Sequence, residues 1–276
     1  MFRAALLSLS ILPGLASLPA AATEGPVKAT YEVYFGGLHV LSAESEFAPA
    51  LNSYDLTTRA KTRGILDVLF GWHGVSRSAG RFQDGRAVPD LHVNRGWRGE
   101  RKRSVVLEYG PDGQVTTAEL EPAPDPEEVT EVPEGSELGT VDPLSVIAQV
   151  SRAVTEAGRC EGEFAVYDGR RRYDLRISDR GTESLPATGY SIFSGEAMRC
   201  GVEYAMLGGQ RKDPNKYAKT ARERVVYVAR PLKDGPAIPV GLKIETDFGT
   251  LMAHITSVET QGGITLGDAG SRRGSR

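Results

Sequence analysis

Two cysteines, Cys160 and Cys200, and four histidines, His39, His73, His92 and His254, are the residues of this 276-residue chain best suited to a metal site or a nucleophilic centre. Their spacing builds neither. No two histidines fall at i and i+4, and neither cysteine has a CxxC or a nearby His pair, so nothing marks a zinc site. A serine hydrolase shows itself in sequence through a G-x-S-x-G elbow. Ser194-Gly195 lacks the first glycine of that pattern, and Ser76 in Gly74-Val75-Ser76-Arg77-Ser78 lacks the second. Neither a Walker-type phosphate loop nor a G-x-G-x-x-G turn is present, and Gly36-Gly37 and Gly208-Gly209 read most simply as turns. The paired carboxylates of a glycosidase leave no spacing signature, because they meet only in three dimensions. The expectation is a protein without catalytic residues, cofactor or metal. A hydrolase acting on cell-wall or lipid material is the alternative. His73 and His254 are read as structural imidazoles.

The basic residues point to binding. Arg95, Trp97, Arg98, Arg101, Lys102 and Arg103 interleave cations with an indole, a composition that suits anionic headgroups. The competing reading is a solvated strand face. Trp72, with Leu69 and Phe70, lines an apolar cavity in one reading and packs in the core in the other. Phe70, Trp72, Trp97, Arg98 and Arg101 are therefore the candidate ligand contacts. A formal charge of -3 gives no footprint for nucleic acid. That low value hides a segregation: no Lys or Arg falls between Arg103 and Arg152, while eleven acids do. The Pro-rich part of this stretch, residues 122–133, is expected as a solvated loop, with an acidic docking surface as the alternative.

The start of the chain sets the compartment. Arg3 precedes a mostly apolar stretch over residues 4–16, and Ala20, Ala21 and Ala22 supply small residues for cleavage before Thr23. Pro13 and Gly14 interrupt the run, which is shorter than the roughly 20 residues that span a bilayer. Residues 1–22 thus read as a cleavable signal, and the mature chain as periplasmic with no transmembrane segment. Export places Cys160 and Cys200 in an oxidising compartment, where a disulfide between them is the expected outcome.

The elements that would carry these residues are mostly strands. Tyr31, Val33 and Phe35 alternate with polar residues, as do Tyr54, Leu56 and Thr58, and the pattern recurs about a dozen times along the chain. Pro111-Asp112-Gly113 and Asp168-Gly169 mark explicit hairpins. Two segments differ. Asp142 can cap a helix that has Pro143 in its first turn, Leu144, Ile147, Val150 and Val154 on one face, and Gly158 at its end. Ile65, Leu66, Leu69 and Phe70 suit one face of a short helix, or a buried strand. The expected fold is mainly β, one large curved antiparallel sheet forming a barrel or half-barrel, with one packed helix near residues 143–157. Residues 23–260 make a single domain, and residues 261–276, which lack an apolar pattern, a disordered tail.

Several segments resemble a known family. They are Asp142-Pro143-Leu144-Ser145, the hairpin from Val166 through Asp168-Gly169 to Leu175, the stretch from Tyr190 through Ser194-Gly195 to Cys200, and Ile238-Pro239-Val240 followed by Phe248-Gly249. Tyr31 to Val40, Thr62-Arg63-Gly64, and Gly80 before Pro89 fit the same pattern. Together they are similar to the bacterial domain-of-unknown-function 3108 family. The resemblance implies an exported envelope protein with a mostly β fold, shaped like the periplasmic lipoprotein carriers, and with no assigned activity. The function expected on these grounds is binding of a lipid-like or amphipathic ligand, or of an envelope protein, in support of envelope integrity. An interaction module using the acidic loop is a further alternative.

Overall fold

The computed structural model describes residues 25–213, 222–263 and 265–266. The expected signal segment and its Ala22–Thr23 junction lie outside the described residues. Among those described, the chain forms β1 (Val27–Phe35), β2 (Leu38–Pro49), β3 (Ser53–Thr62), α1 (Gly64–Phe70), β4 (Trp72–Gln83), β5 (Arg86–Arg98), β6 (Arg101–Tyr109) and β7 (Val115–Glu121). After a long connection come α2 (Pro143–Ala157), β8 (Gly162–Tyr167), β9 (Arg172–Leu185), β10 (Gly195–Gly208), β11 (Glu223–Ala229), β12 (Ile238–Thr246), β13 (Gly249–Thr260) and β14 (Thr265–Leu266). Thr265–Leu266 pairs with Val258 and Glu259, so part of the expected tail is a short strand.

The sheet runs β7-β6-β5-β4-β3-β2-β1-β13-β12-β11-β10-β9-β8, with β14 beside β13 off this path. Neighbours in sequence are neighbours in space, as hairpin-connected antiparallel strands require. Register shifts at Thr30/Tyr31, Val33/Tyr34, Ala79/Gly80 and Tyr227/Val228 bend the strands. Each extra residue raises local twist and curls the sheet.

α2 lies within the curl. It contacts β3, β4 and β5 from one half of the sheet and β8 and β11 from the other. Its caps follow the sequence: the Asp142 carboxylate accepts from the backbone N–H of Leu144 and Ser145, Pro143 opens the first turn, and Gly158 ends the helix at φ 62°. Leu144 and Ala148 pack in one cluster with Tyr31, Phe47, Val225 and Ile255. Val146, Val150 and Val154 pack in another with Phe164, Val166, Ile177 and Val228. A helix enclosed by a sheet buries most of its circumference, so its apolar positions exceed the one face read from spacing. Cys160 and Cys200 belong to the second cluster, at disulfide-bonding distance with Cα atoms 5.7 Å apart.

The sheet does not close by strand pairing. β7 and β8 are its two edges, and the chain crosses from one to the other through residues 122–142 and α2. Side chains and turns fill the gap. Val105, Leu107 and Tyr109 of β6 pack with Tyr167 of β8. The Arg170 guanidinium donates to the carbonyls of Glu121 and Pro122 at 3.1 and 2.8 Å. Val141 forms a parallel bridge with Val166 and covers the β8 edge, which removes an open template for aggregation.

Candidate functional site

The fold brings histidines, serines and carboxylates together twice, in places that spacing did not indicate. His92 of β5 and Asp142 at the start of α2 are both fully buried, with His92 Nδ1 3.1 Å from Asp142 Oδ1. The second carboxylate oxygen accepts from Ser78 Oγ at 2.7 Å and from Ser145 Oγ, and Ser145 shares a further bond of 2.6 Å with the Tyr54 hydroxyl. In a catalytic triad the acid and the serine hold opposite ring nitrogens, and the serine faces substrate. Here both serines bind the carboxylate and the whole set is sealed from solvent. The second cluster is more open. Ser42 Oγ donates to Glu32 at 2.6 Å and accepts from Arg63 Nε at 2.7 Å, and His39 Nε2 touches the same Glu32 oxygen. Ser42 lies 3.4 Å from that same Nε2, so here acid and serine compete for one nitrogen. Neither geometry activates a nucleophile. His73 stacks on Trp97 with ring centroids 5.1 Å apart, and His254 lies beside Tyr34 and Tyr190.

A cleft of about 1360 Å³ lies between the connection after β7 and the β9–β10 pair. Tyr173, Leu175, Tyr204 and Met206 line its floor. Register makes them two direct cross-strand pairs, Tyr204 opposite Leu175 and Met206 opposite Tyr173. Burial pushes the Tyr173 phenol up to about 12, while Tyr204 stays exposed. Residues 122–130 form the facing wall and are strapped down by backbone bonds, Thr130 N–H to the Gln210 carbonyl, Gly209 N–H to Thr130 and Lys212 N–H to Glu128. The loop expected to be simply solvated is one side of a cleft, and Gly208-Gly209, expected as a turn, is the point of close approach that lets it lie there. A Cβ at Gly209, where φ is +80°, would sit 1.9 Å from the Arg170 carbonyl oxygen, and one at Gly208 would sit 2.3 Å from that of Glu131. Gly208→Ala, whose Cβ would meet the backbone of Glu131 and Val132, is expected to detach the strap at a cost of about 1 to 3 kcal/mol. Limited proteolysis would then cut within residues 122–133, and an unchanged digest would refute this role for the glycine.

Charge at the cleft is unbalanced. Arg103, Arg170, Arg171, Arg211 and Lys212 line it against Asp125 and Glu128. Arg171 pairs with Asp168. Arg103, Arg170, Arg211 and Lys212 make no ion pair among the described residues, whereas Arg176, Arg180 and Arg199 of the neighbouring β9 and β10 all do. Arg170 is held below the usual guanidinium range, first by its partial burial and then by the like charge of Arg103. Two cations placed against each other beside an apolar floor form a site that gains from an anion.

The five ligand contacts proposed from sequence lie elsewhere, at one end of the sheet. Trp72 pairs in register with Arg98, and Arg98 with Arg101. The Arg98 guanidinium sits 4.9 Å over the Phe70 ring. The Trp72 indole packs over Gly74 and Gly96, while Trp97 points to the opposite face, against His73. None of the five lines the cleft. The β6 strand connects the two regions, because Arg101 and Arg103 alternate onto one face. Spacing does not single out Tyr173, Tyr204, Arg170 or Arg211 as ligand contacts, because the strands and loop that assemble them are distant in sequence.

The family model described as "Protein of unknown function (DUF3108)" matches residues 30–256. The chain belongs to the DUF3108 family. No curated protein matches it. Among solved structures it is similar to a β-barrel-like protein of domain of unknown function DUF1849 from Brucella abortus, at 12% identity and a TM-score of 0.47, over 87% of this chain and 99% of that one. No helix among the described residues of this DUF3108 chain is long and apolar enough to cross a membrane.

Proposed function

We propose that this DUF3108 protein is a non-enzymatic binding protein of the periplasm, exported by a cleavable signal, that holds an anionic, lipid-like amphiphile in the cleft between residues 122–130 and β9–β10. The observation that carries this reading is the set of cations without counter-charges above an apolar floor. Tyr173, Leu175, Tyr204 and Met206 would receive the apolar part. Arg103, Arg170, Arg211 and Lys212 would face the anionic group, with Arg the residue whose planar donors best fit carboxylate or phosphate. A cleft of this size exceeds the usual range for small-molecule pockets and leaves room for an extended chain.

Protein purified from the periplasm should begin at Thr23 and release an anionic amphiphile on solvent extraction, detectable by mass spectrometry. The Arg103→Gln/Lys212→Gln variant should bind a dansyl-labelled fatty acid about tenfold more weakly, a loss expected when charge-assisted bonds are removed. A nonionic analogue should bind both proteins alike. A clean extract combined with equal fatty-acid binding by both proteins would sink the reading.

A further inference from the structure

α1 is a helix with no buried residue. Ile65, Val68, Leu69 and Phe70 are all exposed, Val68 by 82% and Leu69 by 62%. Ile65, Val68 and Leu69 stand at i, i+3 and i+4, so they form one continuous apolar face, and only Leu66 is turned partly inward. Sequence spacing suggested an apolar face that packs. In the structure that face points into solvent. A seven-residue segment cannot hold a helix by propensity. It is held here by its ends: Gly64, at φ +56°, lies against the His39 carbonyl, and the Thr62 hydroxyl donates to Asp67 and accepts from the Trp72 N–H.

The surroundings of α1 are basic. On the adjacent strand ends and the β5–β6 hairpin, Lys61, Arg98, Arg101 and Lys102 make no ion pair among the described residues. Of the acidic groups near this end, Asp67 is bonded to Thr62, Asp247 is paired with Arg222 and Glu245 with Lys243, while Glu100 lies at the hairpin tip and Glu121 at the end of β7. Exposed Leu38 at the start of β2 and Phe248 in the β12–β13 turn extend the apolar rim, since β2, β1, β13 and β12 follow one another in the sheet. An exposed apolar ridge flanked by cations without ion pairs among the described residues complements an anionic lipid surface, where the ridge enters the headgroup–acyl boundary and the cations meet headgroups.

We infer that this end of the sheet docks on an anionic membrane surface, with Ile65, Val68 and Leu69 inserting and Arg98, Arg101 and Lys102 holding headgroups. The surface is separate from the cleft and does not depend on the cleft being a ligand site. Docking would be weakened by salt, because the cations act through a screened surface potential.

Trp72 and Trp97 are the two tryptophans of the chain, and both stand at this end, so their emission reports docking. The purified full-length mature protein should co-sediment with vesicles rich in phosphatidylglycerol and shift its emission to the blue, and should bind phosphatidylcholine vesicles far less. Val68→Ser/Leu69→Ser touches no buried contact and should weaken binding about tenfold or more. Arg98→Gln/Arg101→Gln/Lys102→Gln should weaken it about a hundredfold, at about fivefold per cation. Arg211→Gln/Lys212→Gln, in the cleft and off β6, should dock like the parent, which separates this surface from the cleft. Absence of binding to phosphatidylglycerol vesicles, or equal binding by parent and ridge variants with matching thermal midpoints, overturns the inference. So does a ridge variant that loses self-association while vesicle binding is unchanged, since the patch would then serve a second copy of the chain.

Discussion

Asp142→Ala should destabilise the protein by about 4 kcal/mol, the range for removing one partner of a buried charged network. The carboxylate caps α2 through Leu144 and Ser145, receives the hydroxyls of Ser78 and Ser145, and faces His92, all without solvent. Alanine would leave two helix N–H groups and two hydroxyls without this acceptor and His92 without the neighbouring charge, and a lost cap alone costs about 1 kcal/mol. Because α2 touches both halves of the sheet, the loss should appear as one cooperative shift in the urea midpoint rather than as local fraying. The same group predicts behaviour in acid. Burial by itself would raise the Asp142 carboxyl, but the neighbouring His92, then Ser145 and Ser78, outweigh it and hold the carboxyl below its ordinary 3.8. A depressed folded value means the contribution is complete above the ordinary value and is lost as pH falls through the folded one. Asp142→Asn, which keeps a capping oxygen without the charge, should flatten the acid limb of the stability profile. An alanine variant within 1 kcal/mol of the parent, or an unchanged acid limb in the asparagine variant, would refute this account of the network.

Cys160→Ser/Cys200→Ser should cost a similar amount. The two cysteines are 40 residues apart, and closing a loop of that length restricts the unfolded chain by about 4 kcal/mol in the entropy model. The bridge ties the segment between α2 and the edge strand β8 to β10, across β9, inside an apolar cluster. Its removal should therefore loosen β8 and the end of α2 before the rest of the sheet. Hydrogen exchange should show lost protection at Phe164 to Tyr167 while β1 to β4 keep theirs. Equal urea midpoints for parent and double variant, with the parent's bond verified by mass, would show that the link adds nothing to stability.

Both proposed surfaces use the same device, cations left without counter-charges beside apolar side chains. At the cleft the apolar part is recessed between strap and strands, and at α1 it projects. Arg101 and Arg103 lie on one face of β6 between them, so an anionic amphiphile taken from a membrane would meet a continuous basic track. The two sets of variants allow each surface to be removed while the other is retained.

Local pattern determined a good deal of this molecule by itself. Alternation in runs such as Tyr54 to Lys61 is a property of the extended backbone and reports a strand wherever one face is covered. Asp142, Pro143 and Gly158 satisfy or avoid the open ends of a helix, and those needs are met within a few residues. Two cysteines leave one pairing, and the short motifs placed the chain in its family. What the tertiary structure alone decided depends on which distant strands become neighbours. Bulges shift the faces, so period two cannot say that His92, Ser78 and Tyr54 converge on Asp142. The spacing of Ile65, Val68 and Leu69 defines a face but not what covers it, and in this fold nothing among the described residues does. The acidic stretch and the basic clusters read as a bare segregation until Gly208-Gly209 let the loop reach β9 and β10. Sequence separation carries no information about that approach, which rests on the room left by two missing side chains.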